Sequence, residues 1–333
     1  MDTFVDSSWY YARYLSPRDD TRPFDPALAA RWLPVDVYVG GPEHAVMHLM
    51  YFRFWHRVMH QLGLVQEVEP CRRLVTQGIV NGPDGRKMSK RWGNVVQPGP
   101  IVSRFGADTV RLFMLFAAPP EKDIDWSDEQ VDGLFRFLAR VWRIFHARQD
   151  CFEVPDEALA HASGDFLELR RRTHRTIKRV TDGLEGELKF NTGIAGLMEL
   201  VNALYQLEPK TDPERAAVRE TLVALATLLA PFAPHAAEEL WHEALGPAFR
   251  DQLLADQPWP VFDPALVAAD VVTIAVQVNG KLRGEVQAPA TATEPEVRAL
   301  AEADERVRAH VAGKTVRKVV FVPKRLINFV VAP

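Results

Sequence analysis

The segment from Val35 to Gly63 constrains the fold most. "VDVYVGG" is a short apolar strand that runs into two glycines. "PEHAVMHLMYFRFWHRVMHQLG" then reads as one helix, with Pro42 in the first turn and Gly63 just past the end. A strand, a glycine turn and a helix start make an α/β unit, which gathers ligands at the strand's carboxyl end. Around this unit, punctuation divides the chain into four parts. Residues 1–80 alternate strands and helices. Residues 81–125 hold a basic loop, the helical pattern "GADTVRLFMLF" and the proline-bearing boundary "APPEKDIDW". Residues 126–265 read as helices separated by proline-bearing linkers, a bundle. The first of these opens with Ser127 as N-cap and Gln130 three residues on, a capping box, with Trp126 and Val131 placed for a staple. Residues 270–333 change period: "VTIAVQVNGKLRGEVQA" is two alternating runs joined at Asn279-Gly280, the strongest short hairpin signal. A helix from about Glu294 to near Gly313 and two more strands follow. The expected fold class is therefore multidomain: an α/β region, an all-α helical bundle and a small α+β domain.

Composition limits what such a chain does. With 333 residues, 47% hydrophobic and 25% charged, it reads as globular and long enough for two or three domains. Its net charge of -4 hides local basic faces. Cys71 and Cys151 lie far apart without CxxC spacing, which argues against a disulfide framework and a cysteine zinc site and fits a reducing compartment. No signal peptide and no bilayer-length apolar run are evident. The cytoplasm is the expected location.

The stretch "NGPDGRKMSKRWGNVV" sets Arg and Lys residues, a Met and a Ser among turn formers. Gly82, Gly85 and Gly93 give it freedom, and its charge suits a phosphate chain. A solvated turn is the plain alternative. His44 and His48, one turn apart, leave three readings, in this order: wall of a substrate pocket, core histidines, metal ligands. HExxH fails because Ala45 follows His44, and no third ligand is evident.

Three motifs in order, "MDTFVDSSWYYARY", "YVGGPEHAVMHLMYFRFWH" and "GRKMSKRWGNVV", resemble the class I aminoacyl-tRNA synthetases and, within them, the bacterial-type leucyl enzymes. The likeness continues through "RFGADTVRLFMLFAAP", "LAPFAPHAAEELW", "VQVNGKLRGEV" and "GKTVRKVVFVPKRLINFVV", so it covers essentially the whole chain. It implies that 1–80 is the second half of a Rossmann-like catalytic domain. On the same basis 81–125 is the KMSKS loop and stem-contact region, 126–265 an anticodon-binding-type bundle and 270–333 a tRNA-binding domain. Nothing matches the family's HIGH signature or its editing domain, so the chain reads as a C-terminal portion, by itself incomplete. Arg91 stands where KMSKS has its final Ser. The short run from Gln77 to Lys87 leaves no room for the domain some leucyl enzymes insert there.

The resemblance also implies roles. Lys90, supported by Lys87, neutralises the leaving pyrophosphate. Gly40, Gly41, Glu43, His48, Gln77, Met88 and Ser89 join Lys90 in holding ATP and the adenylate, with Glu43 on the ribose diol. Phe4, Ser7, Tyr10 and His44 shape the leucine pocket. ATP with Mg²⁺ is the expected cofactor, with no protein-bound zinc. Expected partners are tRNA(Leu), leucine, ATP and an N-terminal subunit or portion of the same enzyme, with no membrane. In "RRRTHRTIKR", Arg170, Arg171, His174, Arg175 and Lys178 recur at helical spacing, either a solvated face or a tRNA-backbone contact. The last domain has ten Lys/Arg against seven Asp/Glu, including Lys281, Arg283, Lys314, Arg317 and Lys318, and is expected to meet tRNA through shape and backbone. A non-catalytic tRNA-binding protein of the same fold is the alternative from another class. A histidine metallohydrolase fails on ligand count.

Overall fold

The computed structural model describes residues 3–245, 249, 251–267, 271–289, 292–311 and 314–332. The chain forms two compact units, Met1–Phe262 and Asp263–Pro333.

The first unit begins with helices α1 (Thr3–Asp6), α2 (Tyr10–Arg13) and α3 (Pro26–Trp32). Asp25 caps α3 by accepting from the Ala27 and Leu28 amides. Strand β1 (Val35–Gly40) pairs in parallel with β2 (Cys71–Thr76), and α4 (His48–Gln61) lies between them in sequence. One face of α4 enters the core at Phe52, His56 and Met59, the helical spacing the sequence shows. The Gln77 amide donates to the Gly40 carbonyl at 3.0 Å, so both parallel strands end side by side.

The single helix expected from Pro42 is broken. Pro42–Val46 winds as a 3-10 turn, Met47 leaves helical geometry (φ -135°, ψ -82°), and α4 starts afresh at His48. A 3-10 turn does not run long. Val46 and Met47 are exposed, so no packing holds the first turn in register with the buried face of α4.

Strand β3 (Val80–Asn81) pairs in parallel with β4 (Ile124–Asp125); α5 (Pro98–Phe105) and α6 (Ala107–Phe116) lie between. The bundle helices are α7 (Asp128–Ala147), α8 (Gly164–Glu185), α9 (Phe190–Tyr205), α10 (Asp212–Leu229) and α11 (Pro234–Ala244). The Ser127 hydroxyl accepts from the Gln130 amide, and Thr211 with Glu214 forms a full capping box on α10. The motif "GADTVRLF" does its work across the bundle. Buried Asp108 on α6 accepts from the Ala236 amide at 2.7 Å and pairs with His235 at 2.8 Å, capping α11 from outside. Arg111 donates to the Pro231 and Phe232 carbonyls just before that helix.

The second unit carries α12 (Pro264–Val267) and a four-stranded sheet in the order β6-β5-β8-β7. Hairpin β5 (Val271–Val278) and β6 (Lys281–Pro289) turns at Asn279 and Gly280, with φ of 49° and 77°. Positive φ at both central residues is what a type I′ turn requires. Strands β7 (Thr315–Val322) and β8 (Leu326–Ala332) pair antiparallel, and β8 joins β5 in parallel. The one helix expected from Glu294 is two, α13 (Glu294–Ala303) and α14 (Glu305–Val311). Asp304 is extended between them, and its carboxylate takes the Arg306 and Val307 amides, so it stops one helix and caps the next. The expected end near Gly313 lies outside the described residues. Val297, Ala301 and Val307 bury this helical layer with Ile274, Val276, Ile327 and Phe329 of the sheet.

Candidate functional site

A cavity of about 480 Å³ opens at the carboxyl ends of β1 and β2. It brings together all four residues expected around leucine, Phe4, Ser7, Tyr10 and His44, with Gly40, Gly41, His48 and Gln77 expected around the nucleotide. Tyr38, Val39 and Leu49 complete the wall. The first motif arrives on α1 and α2. Phe4 stacks on Tyr51 of α4 with centroids 6.1 Å apart, and the Ser7 hydroxyl donates back to the Phe4 carbonyl. His44 and His48 meet edge to face at 5.8 Å across the Met47 break.

Hydrogen bonds join the two sides of the cavity. The Tyr38 hydroxyl lies 2.8 Å from that of Tyr10 and 2.7 Å from His48 Nε2. Desolvation pushes the Tyr38 phenol up; desolvation, then His44, pushes His48 below the ordinary imidazole value. Beneath the wall a second pair ties α2 to α4: Tyr11 Oη lies 2.6 Å from His56 Nδ1, while His56 Nε2 faces the Glu67 carbonyl at 3.0 Å. A carbonyl only accepts, so His56 carries its proton on Nε2. Burial pushes His56 down as well.

Glu43 is exposed and does not line the cavity; its carboxylate folds over Gly41, where a Cβ would clash with it. Two sequence expectations are thus placed apart, the leucine wall inside the cavity and the ribose acid at its rim.

The basic loop leaves β3 shortly after Gln77. Its path is set by Asn94, whose Oδ1 accepts from the Ser89 amide at 2.9 Å while Nδ2 donates to Asp84 at 3.0 Å. Gly85 and Gly93 turn at positive φ. Met88 packs against the core of the helical bundle. Lys87 pairs with Asn81 in an isolated antiparallel bridge, and the side chains of Lys87 and Lys90 make no ion pair among the described residues. Both lysines are exposed and neither lines the cavity. Arg91, the departure from KMSKS, lies over the Trp92 ring at 5.4 Å, and Arg86 lies over the same ring at 5.3 Å.

The basic run on α8 is largely spent within the bundle. Arg170 reaches Glu220 of α10 through two nitrogens, at 2.8 and 3.2 Å, and buried His174 meets the same carboxylate at 3.2 Å. Arg171 and Arg175 pair with Glu168, and Lys178 with Asp182. Arg172, not singled out in the sequence, and Arg179, which pairs with Glu199 of α9 at 3.1 Å, are the exposed arginines of the run. In the second unit Lys281, Lys314, Arg317 and Lys318 are exposed, while Arg283 is half-buried, with Nε out of contact with solvent.

Known proteins resemble this chain in sequence and fold. Residues 1–127 match the family "tRNA synthetases class I (I, L, M and V)", and residues 167–298 match "Anticodon-binding domain of tRNA ligase". Leucine–tRNA ligase of Geobacter sp. (strain M21) is 49% identical over 337 residues, covering 100% of this chain, and that of Thermotoga maritima is 45% identical over 335 residues, covering 99%. Over its whole length the chain is homologous to part of the leucine–tRNA ligases. It spans about 40% of the length of these curated ligases. Among solved leucine-specific structures, the ternary complex of Agrobacterium radiobacter K84 agnB2 LeuRS with tRNA and LeuAMS matches with a TM-score of 0.78 and 38% identity, over 100% of this chain and 43% of that one. A methionyl-tRNA synthetase of Mycobacterium tuberculosis shares the fold at a TM-score of 0.52 and 20% identity, over 71% of this chain and 48% of that one. An α/β portion that matches the class I synthetase model precedes a helical portion that matches the anticodon-binding model, in keeping with the fold class expected.

Proposed function

We propose that this chain supplies part of a leucine–tRNA ligase, which joins leucine to ATP as leucyl-adenylate, releases pyrophosphate and passes the leucyl group to the terminal ribose of tRNA(Leu). The observation that carries this reading is the cavity at the strand ends that Phe4, Ser7, Tyr10 and His44 line together with Gly40, Gly41, His48 and Gln77. An apolar cup of this kind selects its side chain by size, and one methylene is worth only about 1–3 kcal/mol.

In the reaction, leucine's carboxylate attacks the α-phosphorus and pyrophosphate departs, so negative charge grows on the phosphoryl oxygens. Lys90 and Lys87, exposed on a loop anchored by Met88 and shaped by Asn94 through Ser89, bring cations to those oxygens when the loop closes. A contact made only on closing stabilises the transition state more than the bound substrates. Glu43 swings from Gly41 to the ribose diol. Magnesium arrives with the nucleotide's phosphates; among the described residues no three His, Cys, Asp or Glu side chains gather to hold a metal. For tRNA, exposed Lys281, Lys314, Arg317 and Lys318 are the leading contacts, with half-buried Arg283 two residues from Lys281 on β6. In the first unit, Arg171, Arg175 and Lys178 meet tRNA by exchanging carboxylate partners for phosphates, whereas Arg170 and His174 serve tRNA by holding α8 against α10. The finer division at 80, 125 and 265 belongs to the same proposal, as does action in the cytoplasm; no helix among the described residues is long and apolar enough to cross a membrane.

The partner we propose is the remainder of the ligase, in the same chain or another, laid over the exposed Val37, Val39 and Leu74 of β1 and β2 and the exposed Met50 and Phe54 of α4. Leucine-dependent pyrophosphate exchange tests this. The 333-residue chain alone is expected to be near background and to recover when the remaining portion is added. Robust exchange by the chain alone would refute its incompleteness, and no recovery would favour a non-catalytic tRNA binder.

A further inference from the structure

Tyr38 bonds to the leucine wall on one side and to the nucleotide side on the other, and the chemistry of the three groups fixes the direction of both bonds. A phenol is a far better proton donor than a neutral imidazole, and imidazole nitrogen is the better acceptor, so the Tyr38 hydroxyl donates to His48 Nε2 across 2.7 Å. Tyr38 has one proton, so Tyr10 donates to Tyr38 across 2.8 Å. A neutral imidazole whose Nε2 accepts carries its only proton on Nδ1. No described residue bonds that Nδ1, and His48 lines the cavity. The rings hold the geometry independently of the hydroxyl: Tyr38 stacks on Phe52 at 4.4 Å with 18° between planes, and His48 stacks on Phe52 at 5.9 Å.

We propose that Tyr38 is a positioning residue that sets the tautomer of His48, so that its Nδ1–H faces the bound aminoacyl adenylate as a donor to a carbonyl or phosphate oxygen. The adenylate as acceptor rests on the ligase reading; the tautomer does not. Sequence reading passes over Tyr38 because a tyrosine in an apolar strand reads as an ordinary strand former. The buried pair below supplies an internal contrast: His56 carries its proton on Nε2, because the Glu67 carbonyl takes it.

The test is long-range ¹H–¹⁵N correlation on the full chain labelled at histidine, near pH 8, well above the ordinary imidazole value of about 6.5. His48 is assigned by its loss in His48→Gln. The expected wild-type pattern is a proton on Nδ1 and a bare Nε2 for His48, opposite to His56. Tyr38→Phe keeps the ring on Phe52 and should move His48 to the Nε2–H form, with His56 unchanged. Tyr10→Phe removes only the donor to Tyr38 and should leave His48 as in wild type. An Nε2–H His48 in the wild type, or an unmoved His48 in Tyr38→Phe, would overturn the proposal; the wild-type spectrum decides it even where a variant fails to fold. In the completed ligase, Tyr38→Phe should lower kcat/KM for leucine about tenfold, the size of one ordinary hydrogen bond. An unchanged kcat/KM would overturn the adenylate contact, whereas absent exchange in the completed wild type would overturn the ligase reading and leave the spectrum to decide the role of Tyr38.

Discussion

The helical bundle and the α/β region of the first unit solve the burial problem differently. In the bundle, one core runs from Leu112 and Phe113 through Phe145, Leu200 and Leu222 to Trp241, each at most 3% exposed. The α/β region buries a smaller set around Tyr11, Phe24, Phe52 and Met59, and leaves Val39 56% and Phe54 65% exposed. Apolar area of that kind in a two-stranded parallel sheet is unusual, because parallel sheets are covered on both faces. The contrast teaches where each region gets its order. The bundle is held by its own helices, whereas the α/β region relies on polar ties such as Tyr11–His56 and Tyr10–Tyr38–His48.

The largest expected effect separates the two cores. Phe145→Ala leaves a cavity in the bundle and should cost about 3–5 kcal/mol in denaturant unfolding followed by tryptophan fluorescence. A loss under 1 kcal/mol would mean the bundle is not the stable part.

Acid should reach the regions in the opposite order. His56 is held neutral, its value below the ordinary 6.5, so the unfolded chain takes up a proton first as pH falls. Stability from this site is intact at higher pH and declines once pH drops below about 6.5. Burial alone would raise Glu220, but the hydrogen bonds from His174 and Arg170 outweigh it and bring the carboxyl below the ordinary 4.5. Its contribution to the bundle is therefore present above about 4.5 and lost only in stronger acid. Hydrogen exchange between pH 7 and 5 should show α4 opening while α8 and α10 stay protected; simultaneous opening would erase the distinction.

The smallest effect concerns the open face. Phe54→Ser removes little buried area and should change stability by no more than about 0.5 kcal/mol. It should nevertheless reduce self-association by the isolated chain in light scattering, because exposed apolar surface and open strand edges drive association. A wild-type chain that stays monomeric at high concentration would remove this difference.

Legibility in sequence followed the same divide. Local signals were readable: Ser127 at its cap, Asn279-Gly280 at its turn and the cavity residues in their motifs. Long-range partners were not. Nothing near Arg170 or His174 announces Glu220, about fifty residues on and across the bundle, so a paired edge reads as a free basic face. The break at Met47 carries no Pro or Gly at the position itself, and it follows from what the first turn lacks to pack against. Tyr38 escaped for the converse reason, since its strand pattern is satisfied by burial and conceals a hydroxyl with two partners.

The central proposal is that the exposed loop lysines act on phosphate charge at a cavity that takes leucine. The measurement that tests it most directly is leucine-dependent pyrophosphate exchange by the completed ligase carrying Lys90→Ala, with binding of leucine measured alongside. The account predicts a loss of about 10²–10³-fold in kcat, as for removal of one preorganised charge-stabilising donor, with leucine affinity kept. Exchange at the wild-type rate would contradict it.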